Sequence, residues 1–379
     1  MSDCAFYPQC GGCLLRNLNE EAYQKEKYAS FQRIMSQIKQ EKIQYGKPVF
    51  IKDHTRRRAA LTFSFIKKKL SLGFNASHSH DIVDISECSL LTDKLNRNIP
   101  AVRRLIESLC EEPYTLKKGK KSIRQGITGG DILICEADNG IDIILELPFT
   151  PELAHRMIIS EVVCAYPDII RVSWRQKTGQ TAETIIEKTQ PFINNSSVQV
   201  FIPAGTFLQA STEGEKTLIS LVKKYIGERS GKVADLFCGV GTFSYPLSQD
   251  KKNQILAIDS SVELLEGFRH SVNRNQIPNI KIEAKNLFKY PLDEQELQKI
   301  DIVVFDPPRA GASAQVAKIA SCPRAPEVVV AVSCNPQTFI NDANTLIAGG
   351  YTLQEITMVD QFIYSSHTEL VALFEKEKR

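Results

Sequence analysis

Asp235-Leu-Phe-Cys-Gly-Val-Gly-Thr-Phe243 takes the chain out of an apolar run, Val233–Phe237, and through a turn holding Gly239 and Gly241 into a helical pattern. Glycine allows a sharp turn and a close backbone approach to a ligand, and a strand–turn–helix unit of this kind forms the binding crevice of an open α/β sheet. Working outward, strands are predicted at Gln254–Ile258, Ile280–Ala284, Asp301–Phe305 and Glu327–Val332. Helices at about 214–227, 261–275, 314–320 and 337–348 separate them, and Tyr351–Val359 and Glu369–Phe374 read as an antiparallel close. Strict alternation of this sort builds a parallel sheet. The expected fold class for residues 196–379 is therefore α/β: a Rossmann-like, doubly wound, mostly parallel seven-stranded sheet.

The second strand runs into Asp259, an acidic position suited to the two hydroxyls of a ribose. The glycine spacing is not the dinucleotide pattern G-x-G-x-x-G, which favours S-adenosylmethionine over NAD.

Upstream the rhythm differs. Residues 19–44 mix apolar side chains with Glu, Lys and Gln at helical spacing and predict one amphipathic helix. Arg58–Ile66 and Leu70–Phe74 flank a lysine triplet as the arms of a hairpin, and Asp81–Ile85 continues the β pattern. A helix over 91–110, strands within 126–135 and 140–146, a helix over 151–165 and a strand at Ile169–Trp174 complete an α+β domain. The organisation expected is a cysteine-bearing region over 1–90 merging into a central α+β domain over 45–195, whose Arg56–Arg58 and Lys67–Lys69 clusters suit an RNA-binding domain, then the α/β domain from 196.

The net charge of +3 conceals an asymmetry. Residues 1–124 carry 23 Lys and Arg against 13 Asp and Glu, and the remainder carry 24 against 31, so the front third is basic and the rest acidic. Arg56-Arg57-Arg58, Lys67-Lys68-Lys69 and Lys117-Lys118-Gly119-Lys120-Lys121 with Arg124 are clusters that a phosphate backbone would attract. Lysines also protect sheet edges, and charge alone does not choose between the two roles. No apolar run approaches the roughly 20 residues of a membrane-spanning helix, and Met1-Ser2-Asp3-Cys4 has neither the basic nor the apolar region of a signal peptide. A cytoplasmic location is expected, with no membrane partner.

Of ten cysteines, Cys4, Cys10 and Cys13 form C-x5-C-G-G-C, and Cys88 stands apart. In a cytoplasmic chain such thiols suggest a metal or a catalytic use rather than a disulfide frame. Cys110, Cys135, Cys164, Cys238 and Cys322 lie in or beside apolar runs and read as small hydrophobes.

Three further motifs carry chemistry. Asp306-Pro-Pro-Arg-Ala-Gly311 follows the fourth strand. Amino-methyltransferases place an aromatic after the two prolines, to stack on the target base; Arg309 here argues against amino methylation. Ser333-Cys-Asn-Pro336 puts Cys334 between a buried strand and a helix that Pro336 can begin, where the helix's positive end is expected to lower the thiol toward neutrality and make a nucleophile. His367-Thr-Glu369 opens the last strand, and Glu369 is a candidate general base.

Together C-x5-C-G-G-C with a distant fourth Cys, Phe207-x-Gln209, the Asp235–Gly241 turn, Asp306–Gly311, Ser333–Pro336 and His367–Glu369 make the chain resemble the RNA (uracil-5-)-methyltransferase family. The resemblance is to its iron–sulfur members acting on 23S ribosomal RNA without an N-terminal β-barrel domain. It implies addition of the Cys334 thiolate to uracil C6, and Glu369 as the base that removes the C5 proton. It assigns Gln209, Phe237, Thr242, Asp259, Asn286 and Asp306 to the S-adenosylmethionine site. It also implies a [4Fe–4S] cluster on Cys4, Cys10, Cys13 and Cys88, although four thiolates equally suit zinc. The partner implied is 23S rRNA, with tRNA as the alternative, for a monomeric enzyme. A non-catalytic cluster-bearing RNA-binding protein is the rival from another class, and it would need neither Cys334 nor Glu369. Asp259 and Ser211 depart from the Glu and Asn common in the family.

Overall fold

The computed structural model describes residues 4–118 and 121–376, so Met1-Ser2-Asp3 and, within the lysine cluster, Gly119 and Lys120 lie outside the described residues. In chain order the first elements are α1 (Glu20–Met35), β1 (Val49–Phe50), β2 (Arg58–Ile66), β3 (Lys69–Asn75), β4 (Ile82–Asp84) and α2 (Asp93–Glu111). Next come β5 (Tyr114–Lys118), β6 (Lys121–Gln125), β7 (Gly129–Ala137), β8 (Gly140–Glu146), α3 (Leu153–Ala165), β9 (Ile169–Arg175) and β10 (Glu183–Glu187). They are followed by β11 (Phe192–Asn195), β12 (Val198–Phe201), α4 (Thr212–Ile226), β13 (Lys232–Leu236), α5 (Ser244–Ser248), β14 (Gln254–Asp259), α6 (Val262–Arg274) and β15 (Ile280–Ala284). The last are α7 (Glu294–Leu297), β16 (Ile302–Phe305), α8 (Ser313–Ser321), β17 (Val328–Ser333), α9 (Pro336–Ala348), β18 (Tyr351–Asp360) and β19 (Glu369–Lys376).

The chain forms two units: residues up to Asn17, Lys52–Ile193 and Phe201–Ser211 make the first, while Leu18–Ile51, Asn194–Val200 and residues from Thr212 onward make the second. The division is not serial in the chain, in contrast to boundaries drawn at 90 and 195.

The first unit is built on a seven-stranded sheet ordered β10-β9-β8-β7-β2-β3-β4. All its pairs are antiparallel except β8 with β9, which α3 connects as a crossover. Helix α2 packs Leu95, Ile99, Val102, Leu105, Ile106 and Leu109, spaced three or four apart, into the core, and the Thr92 hydroxyl caps its start by accepting from the Leu95 N–H. Strand β8 is buried along its whole length, so both of its acids are paired: Asp142 meets a bidentate partner in Arg171 at 2.9 and 2.7 Å, and Glu146 pairs with Arg175.

The second unit holds the α/β sheet, ordered β1-β18-β19-β17-β16-β13-β14-β15. Strands β13 to β17 run parallel, and β19 lies antiparallel between β17 and β18. Strand β17, Val-Val-Val-Ala-Val-Ser, is buried throughout, as expected of a central strand covered on both faces. The expected seven strands are present, and an eighth, β1, pairs in parallel with the β18 edge. Helix α1 also belongs here, with Phe31 and Met35 in the core of this sheet. The helix expected over 19–44 stops at Met35. Beyond it Ile38 enters the same core, and the Gln40 amide pairs with the Leu353 backbone in both directions, at 2.8 and 2.9 Å, a non-local contact that helical geometry would not permit.

Candidate active site

Chain order runs from β13 to β14 and β15 on one side, then returns to β16 and β17 on the other, so the connections diverge after β13 and leave a crevice at the carboxyl ends of the strands. The Asp235–Gly241 turn, Asp306–Gly311 and Ser333–Pro336 follow strands at that end. Gly239 and Gly241 both have positive φ, +56° and +96°. A Cβ on Gly241 would come within 2.5 Å of the Phe268 ring, so only glycine fits, whereas at Gly239 a Cβ would meet nothing within 4 Å. Phe237 adopts φ +61°, a conformation costly for a non-glycine residue and concentrated at functional turns. Its ring lies 5.4 Å from that of the exposed Phe288.

Asp259 ends β14 with its carboxylate facing the turn: Oδ2 accepts from the Gly239 N–H at 3.0 Å and Oδ1 from the Ser261 N–H at 2.9 Å. Asn286 follows β15 and folds its loop by accepting from the Phe288 and Lys289 N–H groups. Thr242 is half-buried, and its carbonyl accepts from Asn195 at 3.0 Å. Asp306 follows β16, and its N–H reaches the Leu236 carbonyl at 3.3 Å. Between these lies Asp235, fully buried and bonded by the Ser244 hydroxyl at 2.5 Å; burial, with the charges of Asp306 and Asp259 nearby, pushes its carboxyl up to about 7. Gln209 lies in the first unit, buried, with its carbonyl accepting from Arg57 at 3.0 Å.

Cys334 stands at the end of β17, immediately before Asn335, whose side chain caps α9, and Pro336 takes the first helical position as expected. Asn335 Nδ2 and the Thr338 hydroxyl both donate to the Arg309 carbonyl, which ties this turn to the Pro-Pro-Arg loop. In the β17–β19 register Ser333 pairs with Leu370, which sets Cys334 opposite Glu369 one step beyond. Arg309 and His367 meet above, Nη2 to Nε2 at 3.1 Å. The expectation that the helix terminus brings the thiol toward neutrality is corrected here: burial, then Glu369 and Asp306, push Cys334 up to about 11, against a smaller downward pull from Arg309. At neutral pH the Cys334 side chain is therefore held as the thiol.

The four cysteines of the proposed cluster all lie in the first unit, half-buried and unbridged. The loop bearing Cys10 is pinned to the β3–β4 turn by Gly11 N–H to Asn75 carbonyl at 3.0 Å and by a bridge between Cys10 and Ala76. Cys88 is held by Asn96, which both accepts from its N–H and donates to its carbonyl. Burial and the charges of Cys88, Cys10 and Cys4 together raise the Cys13 thiol to about 12, so the four share one neighbourhood. Among the described residues, no group of three or more His, Cys, Asp or Glu side chains is drawn together as a bound metal ion would hold them. The donor set fits a thiophilic iron or zinc centre in kind.

Two charge and thiol readings change. Arg57 is 3% exposed and engaged with the backbone, so it is not a phosphate contact, and Arg58 lies over the Phe207 ring at 3.8 Å. Lys67, Lys68 and Lys69 are exposed at the β2–β3 turn. Cys164 is exposed rather than a core hydrophobe. The residues that sequence reading missed are Gln361, 3.1 Å from Glu369, and the buried Lys27–Asp360 pair, whose partners are too far apart in the chain to leave a local signal. Among the described residues no helix is long and apolar enough to cross a membrane.

A doubly wound sheet with a glycine turn, an acidic strand end and a cysteine–glutamate pair at one crevice defines an S-adenosylmethionine-dependent methyltransferase class of site. The profile of the tRNA (uracil-5-)-methyltransferase family matches residues 168–377, and the chain belongs to that family. Over 384 residues it is 34% identical to an uncharacterized RNA methyltransferase of Zymomonas mobilis, covering 98% of this chain and 88% of that protein. It is 28% identical over 382 residues to the 23S rRNA (uracil(1939)-C(5))-methyltransferase RlmD of Shewanella piezotolerans, covering 99% and 82%. In fold it is similar to the tRNA (uracil-54, C5)-methyltransferase of Pyrococcus abyssi, solved with S-adenosyl-L-homocysteine, at TM-score 0.70 and 23% identity over 97% of this chain and 86% of that one. The protein is an S-adenosylmethionine-dependent RNA uracil-5-methyltransferase.

Proposed function

We propose that this enzyme methylates C5 of a specific uridine in 23S rRNA, as a cytoplasmic monomer. The observation that carries the chemistry is the opposition of Cys334 and Glu369 on neighbouring strands, beside the crevice that Asp259 and Asp306 border. Uracil C5 is a weak nucleophile. Addition of the Cys334 thiolate to C6 pushes an electron pair onto the C4 carbonyl, and the enolate so formed attacks through C5. S-adenosylmethionine supplies the methyl group on a sulfonium. Glu369 then takes the C5 proton, the C5–C6 double bond returns and the C6–S bond breaks, which frees the thiolate. Phe237, Thr242, Asp259, Asn286 and Asp306 hold the cofactor, with Asp259 on the ribose.

A uridine in folded RNA must leave its stack to reach Cys334, and the exposed Lys67–Lys69 turn supports contact with flanking phosphates. The 23S rRNA assignment draws on the relative that is 28% identical; the description of the matching family favours tRNA as the second reading. Cys4, Cys10, Cys13 and Cys88 hold a [4Fe–4S] cluster that orders the amino-terminal loop, with zinc as the alternative metal. Methyl transfer needs no electron, so the centre is structural.

Methyl transfer from labelled S-adenosylmethionine into protein-free 23S rRNA and bulk tRNA, with nuclease digestion to identify the product, tests the reading. Label recovered as 5-methyluridine from 23S rRNA is the expected result. Label in tRNA alone overturns the substrate, and label in neither overturns the function.

A further inference from the structure

Residues 361–368 link β18 to β19 and carry a side chain that the reaction above leaves unused. Gln361 is 4% exposed, and its Nε2 donates to Oε1 of Glu369, itself 3% exposed, at 3.1 Å. An amide donor onto a buried carboxylate favours the ionised form and restricts its rotation. The geometry around Gln361 is held from α1. Lys27 Nζ lies 3.2 Å from Asp360, the residue before Gln361, and donates to the Ser365 and His367 carbonyls at 2.5 and 2.7 Å. The Tyr23 hydroxyl donates to the other Asp360 oxygen and accepts from the Tyr364 N–H at 2.8 Å. Both ends of the link are thus fixed by one helix through buried polar contacts.

We propose that Gln361 is a positioning residue for proton abstraction, holding Glu369 ionised and oriented toward the C5 proton. The proposal rests on Glu369 being the base. Among the described residues, groups near Glu369 that titrate or carry charge include the Cys334 thiol beyond β17, the Asp306 and Arg309 side chains that act on that thiol, His367 and Asp360 on its own stretch of chain, and Lys27 of α1 on Asp360. None of them is altered when Gln361 is replaced, so a change in the release step reports the amide.

Two rates separate this role from a structural one. RNA bearing 5-fluorouridine cannot lose a C5 proton and stalls as the covalent adduct, which measures addition and methyl transfer. RNA tritiated at uridine C5 measures proton release. In Gln361→Met, similar in length but with no donor, adduct formation stays within about twofold of wild type while tritium release at pH 7 falls about tenfold, roughly what losing one hydrogen bond to a charged group costs. Gln361→Glu restores a donor only when protonated, so its release is closer to wild type at pH 6 than at pH 9. Equal slowing of both rates, or unchanged release in both variants, overturns the proposal. Should Gln361→Met melt below the assay temperature, the pH response of Gln361→Glu decides. If the wild-type enzyme itself forms no adduct with 5-fluorouridine RNA, the parent mechanism falls and this proposal with it, a result distinct from any variant-specific one.

Discussion

Cys334 follows Ser333 and Glu369 precedes Leu370, the last registered pair of β17 and β19, so thiol and carboxylate stand opposite one another where the two strands end. The same opposition makes Glu369 the largest electrostatic influence raising the thiol, after burial. The Glu369 carboxylate therefore helps to keep Cys334 protonated at neutral pH.

With the Cys334 thiol pushed up to about 11, the reactive thiolate is scarce at neutral pH and gains about tenfold per pH unit until that value is approached. Iodoacetamide labelling of Cys334, followed by mass spectrometry from pH 7 to 10, should rise with that slope. Glu369→Gln removes a like charge and should speed labelling at pH 8 by roughly threefold to tenfold. A flat profile would mean a thiol already ionised.

Removing either partner of the pair separates the two halves of the reaction. Cys334→Ala should form no covalent adduct with 5-fluorouridine RNA and lose turnover by at least about a thousandfold. Glu369→Gln should form the adduct with natural RNA and retain it, visible as a protein–RNA species in denaturing gels. Normal release by that variant would remove Glu369 from the base role.

The cluster assignment makes an analytical prediction. Protein purified without oxygen should carry about four iron atoms per chain, with matching acid-labile sulfide. Serine at Cys4, Cys10, Cys13 or Cys88 should lower iron content and melting temperature together, while serine at the exposed Cys164 changes neither. One zinc per chain in place of iron would select the other metal.

Lys27 and Asp360 form an ion pair whose side chains are 4% and 1% exposed. Breaking a buried pair leaves a charge without compensation and costs about 3–5 kcal/mol. Lys27→Met should lose that much in urea unfolding, monitored by circular dichroism. A loss below about 1 kcal/mol would show that the pair contributes little beyond exposed ion pairs.

The parallel strands of the second unit lie within a residue or two of their predicted positions, because short buried runs bounded by turns state their own limits. Non-local partners account for what was not legible. Beyond the end of α1 Gln40 bonds to Leu353, and Val49 pairs with Val359 to add an eighth strand. Arg57 belongs to a basic triplet, yet only the folded chain places the Gln209 carbonyl before it and buries it.

By itself, the sequence determined the α/β class, the glycine turn, the family and the identities of the candidate thiol and base, since each is written in contiguous residues whose spacing is chemical. Tertiary structure alone decided the protonation of Cys334, the donor on Glu369 and the anchoring of the 361–368 link by α1. Those properties depend on burial and on charges brought together from distant parts of the chain, with Lys27 and Ser365 lying 338 residues apart. Local pattern carries no record of such distances, and electrostatics in a low-dielectric interior is governed by them.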